Sequence, residues 1–216
     1  MINKMKFEEI NGLILIDKSV SITSFGADSK IKRILSTKKV GHCGTLDPFA
    51  TGVLPVCFGK GLRYVRYTDG YDKAYFCKAV FGKTTDTLDT EGEVISTNIP
   101  EGKVLESLIN SDYKVIRDAF AEISKITEQV PPKYSAKKIN GKKAYELARQ
   151  GIEVELKPSK IKIHELNILG IEIVDGLIEV SFEVYCSKGT YIRTLCHDIG
   201  ETLGCGGCMS ALRRTN

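Results

Sequence analysis

Asp47 is the residue whose surroundings most suggest chemistry. It lies within Gly41-His42-Cys43-Gly44-Thr45-Leu46-Asp47-Pro48-Phe49-Ala50-Thr51-Gly52, where glycines, a histidine and one carboxylate stand in place of the apolar periodicity of a helix or an ordinary strand. Pro48 biases Asp47 toward extended backbone, has a fixed φ itself and offers no N–H to a sheet. The carboxylate is therefore carried on a stiff loop, and the glycines let another backbone or a ligand come close. A displayed acid beside His42 and Thr45 suits presentation of charge to a bound molecule. The same residues also suit a plain Asp-Pro turn, and on residues alone both readings stand.

Other clusters carry weaker signals. Lys30, Lys32, Arg33, Lys38 and Lys39 precede the glycine loop, and Lys133, Lys137, Lys138, Lys142, Lys143 and Arg149 form a second basic segment. Two such patches with few compensating acids suggest a polyanion, although each alone also reads as a solvated lysine-rich surface. The net charge of +4 is too small to declare a nucleic-acid binder by itself. Cys205-Gly206-Gly207-Cys208, with Cys196 and His197 upstream, raises a zinc question, but a single CxxC is weak support and no metal is expected. The run from Asp86 to Gly92 lacks the ligand spacing and closing glutamate of a calcium loop and reads as a hairpin turn.

The elements that must carry these residues are legible in outline. Gly12 to Asp17 is a near-continuous apolar run that predicts a buried strand. Ser24 is the candidate cap of a helix with Ala27, Ile31, Ile34 and Leu35 at helical spacing, which delivers the chain to the glycine loop. Val53 to Phe58 is extended, with Pro55 pointing to an edge or irregular strand. From Lys73 to Phe81 both faces are largely apolar, which predicts a central strand. The Pro131-Pro132 pair breaks any preceding helix, and a basic helix from about Gly141 to Arg149, closed by Gly151, reads as an arm laid on the domain. Ile152 to Leu156 reads as a half-exposed strand. Two long strands, Ile161 to Val174 and Leu177 to Cys186, are joined by the hairpin signal Asp175-Gly176. A helix opens near Tyr191 and runs to about Leu203, where Gly204 stops it.

Hydrophobic content of 42% and charged content of 27% are ordinary for a soluble protein, and 216 residues can bury a real core. No apolar run approaches the ~20 residues that cross a bilayer, and Met1 to Glu8 has no signal-peptide core. Seven cysteines, an odd number, suit reduced thiols. The expectation is one domain over residues 1–216, of mixed α and β character, in a cytoplasmic protein.

Spacing does not show that Asp47 meets Tyr75 and Arg193, but the motifs together do resemble a known family. Gly12 to Lys18, Gly41 to Gly52, Asp72-Lys73-Ala74-Tyr75, Thr85-Asp86-Thr87-Leu88-Asp89, Gln129 to Ala136 and Ser187-Lys188-Gly189-Thr190-Tyr191-Ile192-Arg193-Thr194 resemble, in order, the bacterial tRNA pseudouridine(55) synthases of the TruB family. That resemblance implies an α+β fold with a mixed, largely antiparallel central β-sheet flanked by helices. It implies a cofactor-free isomerase that detaches the base of uridine 55 in the tRNA T-arm, rotates it and rejoins it through carbon.

In this resemblance Asp47 matches the catalytic aspartate and Arg193 the arginine expected to pair with it. The ordinary pKa of aspartate, about 3.9, already leaves it ionised at neutral pH. A uridine within a folded arm must leave its stack before an acid can reach it. Tyr75 matches the tyrosine that stacks on the flipped base, Tyr191 and Leu212 match base-pocket positions, and His42 matches the histidine beside the extruded nucleotide. Lys18 and the basic arm at about 130–151 are expected to contact phosphates. Tyr75 and Leu212 would otherwise read as ordinary core.

Three departures from the family pattern stand out. Ser19 follows the Asp17-Lys18 pair where proline is usual, Lys125 stands where glycine is common, and Cys43 replaces a small hydroxyl residue. Relatives usually continue past Leu212-Arg213-Arg214-Thr215 into a C-terminal RNA-binding region, which the resemblance implies is missing here. The partner expected is tRNA, with no protein partner, no membrane and a monomeric state. The competing readings are a guide-RNA-dependent pseudouridine synthase relative and a non-catalytic tRNA-binding or tRNA-folding module.

Overall fold

Apolar runs with period two become strands that pair mainly antiparallel, and the apolar stripes of the longer helices cover them. The computed structural model describes residues 10–68, 70–139, 141–152 and 155–216. Residues 1–9, and Glu153 and Val154 at the centre of the strand expected over Ile152 to Leu156, lie outside the described residues. Contacts group the chain into two compact units. One runs to Tyr71 and takes in Arg213–Asn216; the other is Asp72–Leu212.

The first unit contains β1 (Gly12–Lys18), α1 (Ser24–Ile34), β2 (Val40–His42), β3 (Thr51–Phe58), a 3-10 turn over Gly59–Tyr64 and the short α2 (Val65–Thr68). β1 pairs antiparallel with β3 from Gly12 opposite Phe58 to Lys18 opposite Gly52. β2 pairs antiparallel with the end of β3, and Arg213 and Arg214 pair in parallel with Thr51 and Gly52. Two expectations are corrected here. β1 is an edge strand with Leu13, Ile14 and Leu15 exposed, because among the described residues it has a partner on one side only. β3 is not an edge strand, since it pairs with both β1 and β2; Pro55 sits opposite Leu15, and its carbonyl accepts the Cys43 N–H at 2.8 Å.

Thr23, rather than Ser24, caps α1: its extended backbone lets Oγ1 accept the Gly26 N–H at 2.9 Å. Ala27 is buried as the helical spacing requires, but Ile34 is 73% exposed. Lys32 and Arg33 occupy the last turn, where the helix dipole favours cations.

The second unit begins with β4 (Lys73–Phe81), β5 (Lys83–Thr85), β6 (Val94–Thr97), α3 (Gly102–Asn110) and α4 (Lys114–Ile123). It continues through β7 (Glu128–Gln129), β8 (Lys138–Ile139), β9 (Lys142–Lys143), α5 (Ala144–Ala148), β10 (Ser159–Lys160), β11 (Ile163–Val174), β12 (Leu177–Cys186), α6 (Ile192–Thr202) and β13 (Gly207–Arg214), whose last two residues belong to the first unit. β4 lies between β12 and β13, central as its two apolar faces predict. Tyr75, Cys77, Ala79 and Phe81 are buried on one face of β4, and Ile178, Val180, Phe182, Val184 and Cys186 on one face of β12. α4 buries Ile116, Ala119, Phe120 and Ile123 at helical spacing, and Phe120 meets Phe81 and Phe182 edge-on.

Asp175 and Gly176 both have positive φ, +52° and +79°, the backbone that a two-residue hairpin between right-twisted strands demands. Residues between β5 and β6 form the expected hairpin turn, closed by Asp86 N–H to the Glu93 carbonyl at 3.1 Å. The arm differs from expectation. Lys138–Ile139 and Lys142–Lys143 form a small hairpin, and helix begins only at Ala144, because the Ala144 and Tyr145 N–H groups are taken by the Lys137 and Ser135 carbonyls. Ala144 and Leu147 turn inward and are buried. Strand β13 has no counterpart in the sequence reading. Among the described residues no helix is long and apolar enough to cross a membrane.

Candidate active site

The loop that carries Asp47 is bound on both sides of that residue. Ser24, 1% exposed at the start of α1, accepts the Leu46 N–H at 2.9 Å and donates its hydroxyl to the Leu46 carbonyl at 3.0 Å. On the other side, the Pro48 carbonyl accepts the Ser21 N–H at 3.1 Å and the Lys18 ammonium at 3.0 Å. The Asp47 carbonyl accepts the Ala50 N–H at 3.1 Å, closing a tight turn over Pro48 and Phe49. Leu46 and Ala50 are buried anchors while Asp47 is half-buried. The chain at Asp47 is therefore set by neighbours at 46 and 48, leaving its carboxylate at a partly open position.

Gly52 shows why the loop ends as it does. Its φ is +104°, and a Cβ there would run into the Arg214 backbone, which pairs alongside. Arg214 itself is 2% exposed and donates to the Val53 and Gly44 carbonyls at 2.7 and 3.2 Å.

Lys18 corrects a sequence expectation. It was expected to meet phosphates, yet it is 1% exposed and its ammonium donates to the carbonyls of Ser19, Ile22 and Pro48 at 3.0, 2.7 and 3.0 Å. Three N–H donors meet three carbonyls, so this cation braces the loop instead of reaching out to RNA. Burial lowers its pKa from the ordinary lysine value, and the Asp47 carboxylate partly opposes that shift.

His42 ends β2 with its Nδ1 2.8 Å from Asp28 Oδ2 and its Nε2 3.2 Å from Thr45 Oγ1. The Phe25 ring meets the imidazole edge-on at 5.2 Å. His42, Asp47 and Lys18 are thus gathered by the first unit around one loop.

Tyr75, Tyr191, Arg193 and Leu212 belong to the second unit. Tyr75 is buried in β4, opposite Val184. Tyr191 precedes α6, and its backbone is held by both ends of one side-chain amide: the Tyr191 N–H donates to Gln129 Oε1 at 2.8 Å and Gln129 Nε2 donates to the Tyr191 carbonyl at 3.2 Å. Arg193, 6% exposed, donates to the carbonyls of Thr87 at 3.0 Å and Tyr134 at 2.8 Å, and its guanidinium lies 3.7 Å from the Asp89 carboxylate. It ties the turn after β5 and the Pro131-Pro132 segment to α6. Leu212 is buried in β13.

In the arm, Lys133, Lys142 and Arg149 are exposed, whereas Lys137 donates to Ser159. Lys143 and Arg149 both approach the Tyr145 ring, at 5.3 and 5.6 Å from its centroid. Sequence reasoning did not single out Ser24 as a loop clamp, nor Asp28, Asp89 or Gln129. Gln129 and Asp89 lay within quoted motifs, which was the available signal; nothing in the spacing linked Asp28 to His42. Cys43 and Cys57 lie with their sulfurs 3.7 Å apart in the first unit, where burial and the neighbouring thiol push Cys57 up to about 11. The Cys57 thiol is therefore a poor nucleophile.

Comparison with known proteins adds to this geometry. A family model described as TruB family pseudouridylate synthase (N terminal domain) matches residues 32–192, and a tRNA pseudouridylate synthase B C-terminal domain model matches residues 193–216. The chain is 43% identical to the tRNA pseudouridine synthase B of Syntrophotalea carbinolica over 95% of its length and 63% of that relative. It is 43% identical to that of Clostridium kluyveri (95% of this chain, 66% of the relative) and 45% identical to that of Francisella tularensis (95% and 65%). The chain thus spans a little under two thirds of the length of these curated relatives. Among solved structures it resembles a Cbf5-Nop10-Gar1 complex chain with TM-score 0.66 and 29% identity, covering 95% of this chain and 48% of that one. A chain of the archaeal box H/ACA sRNP Nop10-Cbf5 complex is similar at TM-score 0.62 and 29% identity, covering 95% and 47%.

Proposed function

The chain belongs to the TruB family of pseudouridylate synthases, and from that membership we propose that it isomerises uridine 55 in the T-arm of tRNA to pseudouridine. The observation that carries the reading is 43–45% identity to tRNA pseudouridine synthases B across 95% of the chain, and the braced loop that holds Asp47 supports it. The reaction breaks the bond between N1 of uracil and C1′ of ribose, turns the base and joins C5 to C1′. The hydrogen leaves C5, and N1 gains one. No water is added, so a second carboxylate to activate water, as in glycoside hydrolysis, is not required.

In this proposal Asp47 is the nucleophile. Its position between Leu46 and Pro48, each held by hydrogen bonds, supports a preorganised attack with little ordering left to the reaction. His42 occupies space beside the extruded uridine, Tyr75 stacks on the flipped base, and Tyr191 and Leu212 complete its pocket. Arg193 is a further member of the catalytic set. Lys133, Lys142 and Arg149 are the exposed cations that grip phosphates. The second unit and its arm act with the first as one catalytic domain.

The test is tritium release from tRNA carrying 5-tritiated uridine. Turnover by the parent protein and none by Asp47→Ala, with tRNA binding retained, supports the reading; Asp47→Ala activity near the parental rate rejects it. A guide-RNA-dependent reading draws support from the likeness to Cbf5 chains. Efficient modification of a bare tRNA transcript excludes a guide, and binding without tritium release by the parent identifies a binding module.

A further inference from the structure

Asp28 is an acid in an unexpected place. It lies one turn into α1, 2% exposed, and burying a carboxylate is costly unless a cation or hydrogen-bond donors meet it. One oxygen, Oδ2, is 2.8 Å from His42 Nδ1, while Oδ1 has no hydrogen-bond partner among the described residues. The imidazole is therefore what this acid is built against. A carboxylate that accepts at Oδ2 selects the tautomer with its hydrogen on Nδ1, which leaves Nε2 directed toward Thr45 Oγ1. Phe25, one turn earlier on the same helix, meets the ring edge-on with planes at 89°. Helix α1 thus restrains His42 through a hydrogen bond at one nitrogen and a ring contact at its side.

We propose that Asp28 is a positioning residue for His42, holding the imidazole in one rotamer and one tautomer so that the ring stands ordered beside the extruded nucleotide. The proposal rests on the reading of the chain as an RNA pseudouridine synthase in which His42 lies next to that nucleotide. Asp28 touches no substrate in this scheme; it acts through His42. A free imidazole on a β-strand end would sample several rotamers, and each would have to be sorted during base extrusion. Fixing it beforehand favours the step that follows RNA docking, so the effect falls on kcat more than on KM.

The experiment uses Asp28→Asn, Asp28→Leu, His42→Ala and the Asp28→Leu/His42→Ala double variant. Because the chain has three histidines, loss of a signal in His42→Ala assigns the His42 imidazole N–H proton resonance. The expected result is a hydrogen-bonded N–H proton in the parent that disappears in Asp28→Leu. Turnover of a tRNA transcript by Asp28→Leu drops about 10- to 100-fold in kcat, with KM within about twofold. The double variant is no slower than His42→Ala alone, because Asp28 acts only through the ring. Asp28→Asn, which retains an acceptor at the same place, recovers most of kcat. Asp28→Leu also leaves the buried His42 N–H without its acceptor, so its melting temperature falls below the parental value. A merely structural Asp28 gives that lower melting temperature with parental kcat. That pattern, an N–H signal that persists in Asp28→Leu, or additive losses in the double variant each overturn the proposal. If the parent releases no tritium, the functional reading fails by itself, and the N–H signal still decides whether Asp28 holds His42.

Discussion

The ammonium of Lys18 lies 3.0 Å from the carbonyl of Pro48, the residue next to Asp47. Two more carbonyls, of Ser19 and Ile22, complete its hydrogen bonding. A basic residue 30 positions earlier in the chain thereby fixes the backbone of the acidic loop.

Lys18→Met tests that role. It leaves three carbonyls without their donor in a buried site, and each charge-assisted bond contributes more than a neutral one. We expect a loss of about 3 kcal/mol of unfolding free energy, read from denaturant melts. The salt dependence of tRNA binding should not change, because the ammonium is buried against three carbonyls. A reduced salt slope with unchanged stability would restore the phosphate role.

Gly52→Ala should be more disruptive than any exposed glycine replacement. Its φ of +104° is unfavourable for a side chain, and the new Cβ meets the Arg214 backbone rather than a movable side chain. A loss of about 3 kcal/mol or more is expected in thermal or chemical melts. Parental stability would show that the pairing of Arg213 and Arg214 with Thr51 and Gly52 is absent in solution.

Arg193→Lys replaces a buried fork with a point charge. The guanidinium serves the Thr87 and Tyr134 carbonyls at once with Asp89 beside it, a geometry an ammonium cannot reproduce. The variant should lose about 2 kcal/mol of stability and at least about tenfold in kcat/KM. Melting curves and tritium release measure the two losses separately.

The Asp17–Arg213 pair gives a pH signature. Two bonds, at 3.0 and 2.7 Å, join the guanidinium to both carboxylate oxygens, and the Arg213 hydrogen bond holds Asp17 below the usual carboxylate range. A depressed folded value means the pair's contribution is present above the unfolded carboxylate pKa and is lost as pH falls through the folded one. Carboxyl NMR titration should find Asp17 low in the parent and back in the ordinary range in Arg213→Ala. Both side chains face solvent, so added salt should shrink the difference.

Lys142→Ala and Arg149→Ala probe the arm. Each removes one exposed cation, so each should weaken tRNA binding and reduce the slope of log affinity against log salt by about 1. Unchanged slopes would remove the arm from the RNA interface.

Much of the second unit was legible because its information is local. Asp175-Gly176 sets the β11–β12 hairpin through the positive φ of two adjacent residues, and the apolar face of β12 follows by alternation. The pattern of β4 likewise predicted its central place. The arm was less legible: its lysines and tyrosine fit a helix by spacing, but carbonyls of Ser135 and Lys137 take the N–H groups that would start one earlier. β1 looked buried because composition reports apolarity and not the number of neighbouring strands.

For the candidate site the division is sharper. The sequence by itself determined that Asp47 rides on a loop stiffened by Pro48 and opened by glycines, and its separated motifs carried the family. Which groups hold that loop was decided only in three dimensions. Ser24 reaches Leu46 across 22 positions, Lys18 reaches Pro48 across 30, and Asp28 reaches His42 across 14. A buried polar side chain must find partners wherever the fold supplies them, so an isolated Lys or Asp in sequence reads as surface until the tertiary structure removes the water around it.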